Sequence, residues 1–518
     1  MTAFGIRLPA FGTGVAVLLA ALVSAAPAGE AAPKAQDGKP AEPQPALAGW
    51  EVLTGPAEAR GLYDKAVFEW LQAARKAPAS SAAELALRRI PGLRDRLTVL
   101  SEKPCLEALK ELAAAKDAPV TAALARELLA GLLREAGRDK EADEAAAGLG
   151  FIENWLAIGT FGRNIAATHD RAFGPEEKID LAAEYDPGRY YYVAKNKWRA
   201  LPAPVRGEPL APFDYLRPAG GACYLLAQVE SDRERDGCDL LVETAAAFKV
   251  WLNGEPVLDG DRYRKNMARD EGRPVRLASG WNRILLKLSA PATVSVRLLD
   301  GGRPLALKVE DKPVLHPAVA PRRAPEAQPS RSFSGDSNAA ENAAIGVTKR
   351  LQNLDDEAVA LLKRAVEKEP ARAAWHYHLA EAYLGADYLS VPARKNLSAA
   401  EYRAALERDP GFVPARLRLA GRLAEEGHEE QALAELKEAL AASPECGQAW
   451  LEMAGIARRL EWRNETRSWL DEARKMAADL PARRLLAAQF HRENGNLDLA
   501  IEEYRELNKS TQIGRAHV

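Results

Sequence analysis

The sequence has little of what catalytic and nucleic-acid-binding chains depend on. Only four cysteines, Cys105, Cys223, Cys238 and Cys446, occur in 518 residues. None forms C-x-x-C, so zinc-knuckle and dithiol redox chemistry lack their ligand spacing. Cys223 and Cys238 lie on two neighbouring predicted strands. A turn centred on Arg233-Glu234 would set Cys238 opposite about Val229, so isolated buried thiols are expected, without a disulfide framework. Neither sign of charge is in excess: 71 basic residues face 73 acidic ones, a net charge of −2. That excludes the basic field of a dedicated nucleic-acid surface, and no nucleic-acid partner is expected. Beyond the N-terminal region no stretch is apolar over the ~20 residues needed to cross a bilayer. Of seven histidines only His376 and His378 are close. Two apart on a helix, they point away from each other and cannot hold one metal from one face. Asp259, Asp261 and Asp270 follow no calcium-loop spacing and read as a solvated acidic turn. H-E-x-x-H, G-x-S-x-G and G-x-x-x-x-G-K-[ST] are absent, so no catalytic set, cofactor or metal is expected.

What is present begins with a targeting pattern. Arg7 precedes the apolar run Phe11–Val23, and the small-residue stretches Val23-Ser24-Ala25 and Ala26-Pro27-Ala28 follow. This is the order of a secretory signal, placed at 1–25, and the run is short for a membrane span. The mature chain is expected to be exported, periplasmic or at the cell surface or secreted. Residues 26–48, rich in Ala, Pro, Gly and Lys, read as a linker. Residues 49–150 carry apolar positions at spacings of three and four, as in Ala66-Val67-x-x-Trp70-Leu71, and read as several antiparallel helices.

At Phe151 the texture changes. Candidate strands are Trp155–Ile158, Tyr224–Val229, Leu240–Thr244, Phe248–Leu252, Ile284–Leu288 and Thr293–Leu298. Turn dipeptides separate them, Asn253-Gly254 above all, because both residues accept positive φ. The expectation for 151–310 is an antiparallel β-sandwich. Residues 311–343 then read as a Pro/Ala-rich linker.

The strongest signal is a repeat. Pro410 and Pro444 are 34 apart, as are Ala432, Thr466 and Ala500 in turn. Ala358-x3-Leu362-x2-Ala365-x4-Pro370 returns as Ser398-x3-Tyr402-x2-Ala405-x4-Pro410, then as Ala432-x3-Leu436-x2-Ala439-x4-Pro444. Pro370 and Pro410 are 40 apart, one period plus a six-residue insertion within Gly385–Lys395. Small residues let two helices approach, a large one fills the next turn, and the proline ends the second helix. This resembles the tetratricopeptide (TPR) family, whose unit is an antiparallel helix pair. Residues 344–507 give four full units plus a leading second helix, and 49–150 reads as degenerate pairs of the same kind. The resemblance implies an α-solenoid with a concave groove lined by first helices. Carried over by position, its partner contacts would be Tyr377, Glu381, Arg458, Arg459, Gln489 and Arg492. The Lys/Asn pattern that grips C-terminal carboxylates in chaperone-binding relatives is replaced by Leu417 and Gly421, and by Leu451 and Gly455.

Trp251-Leu252-Asn253-Gly254, followed by Leu277-x2-Gly280-x-Asn282, resembles a pattern of galactose-binding-like jelly-roll modules. Trp198 and Tyr215 are the candidate glycan contacts that follow from it. The fold class expected is therefore multidomain α + β: an N-terminal helical region, a central jelly-roll-like sandwich and a C-terminal α-solenoid. The expected function is that of an exported, non-catalytic scaffold binding a protein or peptide. A carbohydrate-binding role in polysaccharide processing is the alternative. A third reading comes from Ile513–Val518, which resembles a translated sequencing-adapter read. On that reading 508–518 is a truncated end, and the natural chain runs on, for instance into a transglutaminase-like enzyme.

Overall fold

The computed structural model describes residues 53, 56–97, 103–163, 165–188, 194–217, 220–260, 268–269, 273–300, 303–317, 319, 338–476 and 480–510. The expected signal (1–25), the first linker (26–48), residues 320–337 of the second linker, Asp261, Asp270 and the 513–518 segment lie outside them.

Along the chain come helices α1 (Pro56–Ala59), α2 (Tyr63–Lys76), α3 (Ser81–Arg89), α4 (Lys103–Ala113), α5 (Pro119–Glu135) and α6 (Asp139–Ala146). Strand β1 (Leu156–Phe161), helices α7 (Ile165–Asp170) and α8 (Gly174–Glu177), and strand β2 (Arg199–Ala200) follow. Then come β3 (Ala222–Ser231), β4 (Arg235–Thr244), β5 (Phe248–Leu252), β6 (Glu255–Gly260), β7 (Ala268–Arg269), β8 (Arg273–Leu277), β9 (Gly280–Leu288), β10 (Val294–Asp300), β11 (Arg303–Pro304) and β12 (Lys308–Val309). The chain continues with α9 (Ala339–Leu351), α10 (Asp355–Lys368), α11 (Ala373–Gly385), α12 (Val391–Arg408), α13 (Val413–Glu425), α14 (Glu429–Ala442), α15 (Gly447–Arg459), α16 (Arg463–Met476), α17 (Pro481–Glu493) and α18 (Leu497–Ser510).

These elements form two compact units. One spans Asp139–Phe333; the other joins the described residues up to Arg138 with those from Ser334 onward. In the helical unit, α9/α10, α11/α12, α13/α14, α15/α16 and α17/α18 pack as successive pairs. Among the described residues the array thus has five pairs, one first helix more than the repeat spacing shows. The extra helix, α9, starts at Ala339, inside the span read as linker, where the Asn338 side chain accepts the Glu341 N–H at 2.8 Å and caps it. Its sequence departs from the repeat, yet Gly346 keeps the close approach: a Cβ there would lie 2.7 Å from Leu362. At the crossings Ala358, Ala365, Ala405, Ala432, Ala439 and Thr466 are fully buried, as close helix pairs require.

Helices α1–α5 do not form a body of their own. Leu53, Ala59 and Leu85 share one apolar core with Ala343, Val347, Trp375, Tyr377, Tyr402 and Phe412 of the repeats. These helices pack on one another, burying Val67, Leu71 and Leu109, and the repeats cover the apolar residues left at their edge.

The other unit holds two antiparallel sheets, ordered β2-β1-β3-β9-β5-β6 with β12 beside β3, and β11-β10-β4 with β7 and β8 beside β4. Leu225, Ala227, Val229, Val250, Leu252, Ile284 and Leu286 of the first face Leu240, Val242, Val275, Val296 and Leu298 of the second in one core. The expected β3–β4 hairpin does not form. β3 pairs with β1, β9 and β12, and β4 with β7, β8 and β10, so the chain crosses between sheets after Ser231. β4 alternates while β3 is buried on both faces, and crossing lets Cys223 and Cys238 enter the shared core from opposite sheets. All four cysteines are buried thiols. The Asn253-Gly254 turn does join β5 to β6, with φ of 53° and 91° and Leu252 opposite Glu255.

Candidate functional site

By repeat position, Tyr377 and Glu381 correspond to Leu417 and Gly421 in α13, Leu451 and Gly455 in α15, and Leu485 and Gln489 in α17. The structure divides this row into two halves.

The upstream half is closed. Tyr377 and Glu381 are 0% and 1% exposed. Expected as open partner contacts, they are covered instead. Arg418 Nε lies 3.0 Å from a Glu381 carboxylate oxygen, and the Tyr402 hydroxyl donates to the same carboxylate. The buried Arg350 guanidinium ends α9 near Glu381 and Asp355. Burial lowers its pKa from the ordinary arginine value, and those acids oppose the shift. Charge also arrives from the N-terminal helices. Glu58 is fully buried and paired with Arg89, whose guanidinium lies 4.3 Å over the Trp70 ring. Burial pushes the Glu58 carboxyl up to about 7, against the pull of Arg89. Arg60 donates to the Gly411 carbonyl and lies 3.9 Å from Asp409. Gly61 sits against Val413 and Cys446, at the N-terminal ends of α13 and α15.

The downstream half is open at its glycine positions, although Leu417 and Leu451 are buried. A Cβ built at Gly421 or Gly455 meets nothing within 4 Å. Leu485 is 41% exposed. Arg459 and Arg492 are exposed and Gln489 is half-buried. Arg458 is half-buried and donates to Glu493 at 2.7 Å. The sequence predicted these four residues together with Tyr377 and Glu381, and burial separates the two groups.

His376 bonds Glu401 at 2.7 Å and the Pro370 carbonyl at 3.1 Å, tying the start of α11 to α12. Among the described residues no group of three or more His, Cys, Asp or Glu side chains is placed to hold a metal.

In the two-sheet unit the glycan candidates stand differently from each other. Trp198 is half-buried against Ile158, Phe161, Phe173, Tyr224 and Leu285, so its ring is occupied by protein. Tyr215 is 45% exposed. The motif asparagines have structural partners. Asn282, fully buried, accepts from Asn253 Nδ2 at 2.9 Å and the Ala278 N–H at 2.8 Å, and donates to the Ala278 and Gly280 carbonyls. Asn253 in turn accepts the Arg283 N–H at 2.8 Å.

A polar cluster that the sequence reading missed lies outside β9. Lys287, 0% exposed, donates to the carbonyls of His169 and Arg171 and to Glu176 at 2.7–3.0 Å. Tyr224 donates to the same Glu176. Beside it His169 lies 3.0 Å from Ser289 Oγ and 2.9 Å from Asp259. A serine, a histidine and an aspartate in series suggest a nucleophile and its base. Ser289 is fully buried, however, and the series fastens α7 to the end of β9. A lysine within the apolar run Ile284–Leu288 was the one available signal.

No protein-family model and no curated protein matches the chain in sequence. Solved structures overlap with about a third of it. The structure of pilF from Pseudomonas aeruginosa is 18% identical, covering 34% of this chain and 78% of its own, with a TM-score of 0.31. TTC0263, a TPR protein of Thermus thermophilus, is 22% identical over 33% of this chain and 91% of its own, at 0.28. YrrB, described as a TPR protein with an unusual peptide-binding site, is 14% identical over 34% and 87%, at 0.27. The helix pairing described above is what makes the array TPR-like.

Proposed function

We propose that this chain is an exported, non-catalytic scaffold that captures an extended protein segment on the downstream half of its first-helix face. The observation that carries this is the open floor at Gly421 and Gly455. Two bare backbones at one repeat position leave room for another chain at close range. Exposed Leu485 offers an apolar contact, and Arg459 and Arg492 add positive charge, so an acidic segment with an apolar side chain fits best. Arg7 and the Phe11–Val23 run support export. The two-sheet unit is read as a jelly-roll-like accessory module. Carbohydrate binding has the weaker support, because Trp198 is packed against protein and Asn253 and Asn282 bond each other.

The test is fluorescence anisotropy on a panel of acidic and basic peptides of ten residues. Acidic-apolar peptides are expected to bind, and Arg459→Glu/Arg492→Glu to weaken them about tenfold or more, roughly 1.4 kcal/mol. Equal binding of both peptide classes, or no response to the double substitution, would refute the reading.

A further inference from the structure

Residues 311–316, read from the sequence as the start of a linker, lie back on the two-sheet unit. Just before them β12 pairs Val309 with Val229 of β3, and Val309 packs against the sandwich core. Beyond it no side chain from Glu310 to His316 is fully buried, and Val314 is 47% exposed. Apolar contact therefore does little to hold this stretch. Polar contact does more. The Glu310 N–H donates to the Gln228 carbonyl at 2.9 Å. The buried Gln228 side chain accepts the His316 N–H at 2.9 Å and donates to the Val314 carbonyl at 2.6 Å. Arg283 of β9 donates to the His316 carbonyl at 2.9 Å.

The imidazole closes the stretch. His316 stacks on Trp281 of β9, with ring centroids 4.0 Å apart and planes inclined by 3°, and its Nε2 bonds the Glu310 carboxylate. We propose that His316 is a proton-operated clasp, which locks residues 310–316 over Trp281 when protonated and releases them when neutral.

Both contacts of the ring favour its charged form. A carboxylate bonds an imidazolium more strongly than a neutral imidazole, and the face of an indole attracts a cation. Glu310 is present as the carboxylate. Its bond to His316, and after it the backbone N–H groups of Lys312 and Asp311, hold its carboxyl below the usual carboxylate range. The His316 and Glu310 side chains are 23% and 15% exposed, so water screens the pair incompletely. Two cations stand nearby. Lys308 of β12 lies 5.0 Å from the Trp281 ring and is paired with Glu230 of β3 at 2.9 Å, and Arg283 is engaged by the His316 backbone. Asp311 and Lys312 are exposed and opposite in sign. Closure therefore strengthens as the pH falls through the range in which histidines titrate, about 5 to 8, and weakens as it rises. Release uncovers the Trp281 ring and the Gln228 side chain at that edge of the sheet.

The test is hydrogen exchange of the full-length chain at about pH 5.5 and about pH 8, read by mass spectrometry and corrected for the intrinsic exchange rate at each pH. The reporter is the peptide spanning Glu310–His316, and peptides from β9 report on the sheet beneath it. In the wild type, protection of 310–316 is expected to be about tenfold higher at the lower pH, with β9 protected equally at both. His316→Phe keeps a ring on Trp281 and cannot take a proton, so its protection of 310–316 is expected to be the same at both pH values. Three results overturn the proposal: equal protection of 310–316 at both pH values in the wild type, the wild-type ratio persisting in His316→Phe, or β9 opening in step with the stretch.

Discussion

Gly61 and Cys446, 385 residues apart in the chain, are in contact: a methyl group on Gly61 would lie 2.9 Å from the Cys446 sulfur. That contact binds the N-terminal helices to the fourth repeat. Gly61→Ala meets two penalties, the left-handed φ of 72° and the missing space. The expected loss is about 1–3 kcal/mol. Urea denaturation followed by far-ultraviolet circular dichroism measures it, and a neutral substitution would show that the segment yields freely.

Glu58 gives a pH dependence whose sign can be worked out. Its folded carboxyl titrates at about 7 against an ordinary 4.5, so the folded state holds the proton more tightly. The stability it contributes is complete below pH 4.5 and is lost as the pH rises through 7. Arg89 faces it from α3, and Arg350 faces Arg89 from α9, with Asp355 and Glu381 beyond. The loss between pH 5 and 8 is on the order of 3 kcal/mol. Glu58→Gln, which cannot ionise, is expected to flatten urea midpoints compared across that range. A variant with the wild-type slope would assign the dependence to another group.

Asn282 satisfies the turn before β9 and holds Asn253 of the β5–β6 hairpin. Asn282→Ala leaves several buried groups without partners, at a cost of about 2–4 kcal/mol. Thermal melting of the variant reads this out. A change confined to sugar binding, with stability intact, would instead restore the ligand reading of the motif.

Lys287→Met keeps the volume of the side chain and removes the ammonium that joins His169, Arg171 and Glu176. Burial lowers the pKa of that ammonium, and Glu176 opposes the shift. Without it the Glu176 carboxylate keeps, among the described residues, its bond from Tyr224, and the expected cost is about 3–5 kcal/mol. Limited proteolysis should then cut first between Gly162 and Trp198, the stretch fastened to β9 through His169 and Arg171. Unchanged protection would mean that Phe161, Phe173 and Tyr224 suffice to hold it.

The repeats were legible because each crossing imposes the same demand. Ala358, Ala432 and Thr466 must be small for one reason, and the reason recurs every 34 residues or, at the insertion, every 40. Asn253-Gly254 was legible because its backbone requirement is local. Leading helix α9 was not, because Gly346 replaces the usual pattern with another route to close packing. Nor was the burial of Tyr377 and Glu381. Their own helix presents them at groove positions, and the cover comes from Tyr402, Phe412 and Arg418 of the following helices, whose side-chain reach no local pattern records. Crossing of β3 and β4 between sheets escaped notice for a related reason, since a strand's apolar pattern does not name its partner.

The joining of the first helices to the last repeats also sets a timetable. Translated from its N-terminus at 5–20 residues per second, the chain releases Gly61 roughly 20–80 s before Cys446 exists. For most of that interval, until the helices from Ala343 to Leu419 have followed, Leu53, Ala59 and Leu85 have no repeat to rest on. A newborn copy therefore carries an adhesive N-terminal patch that a finished copy hides, and its safe completion calls for either a chaperone or haste.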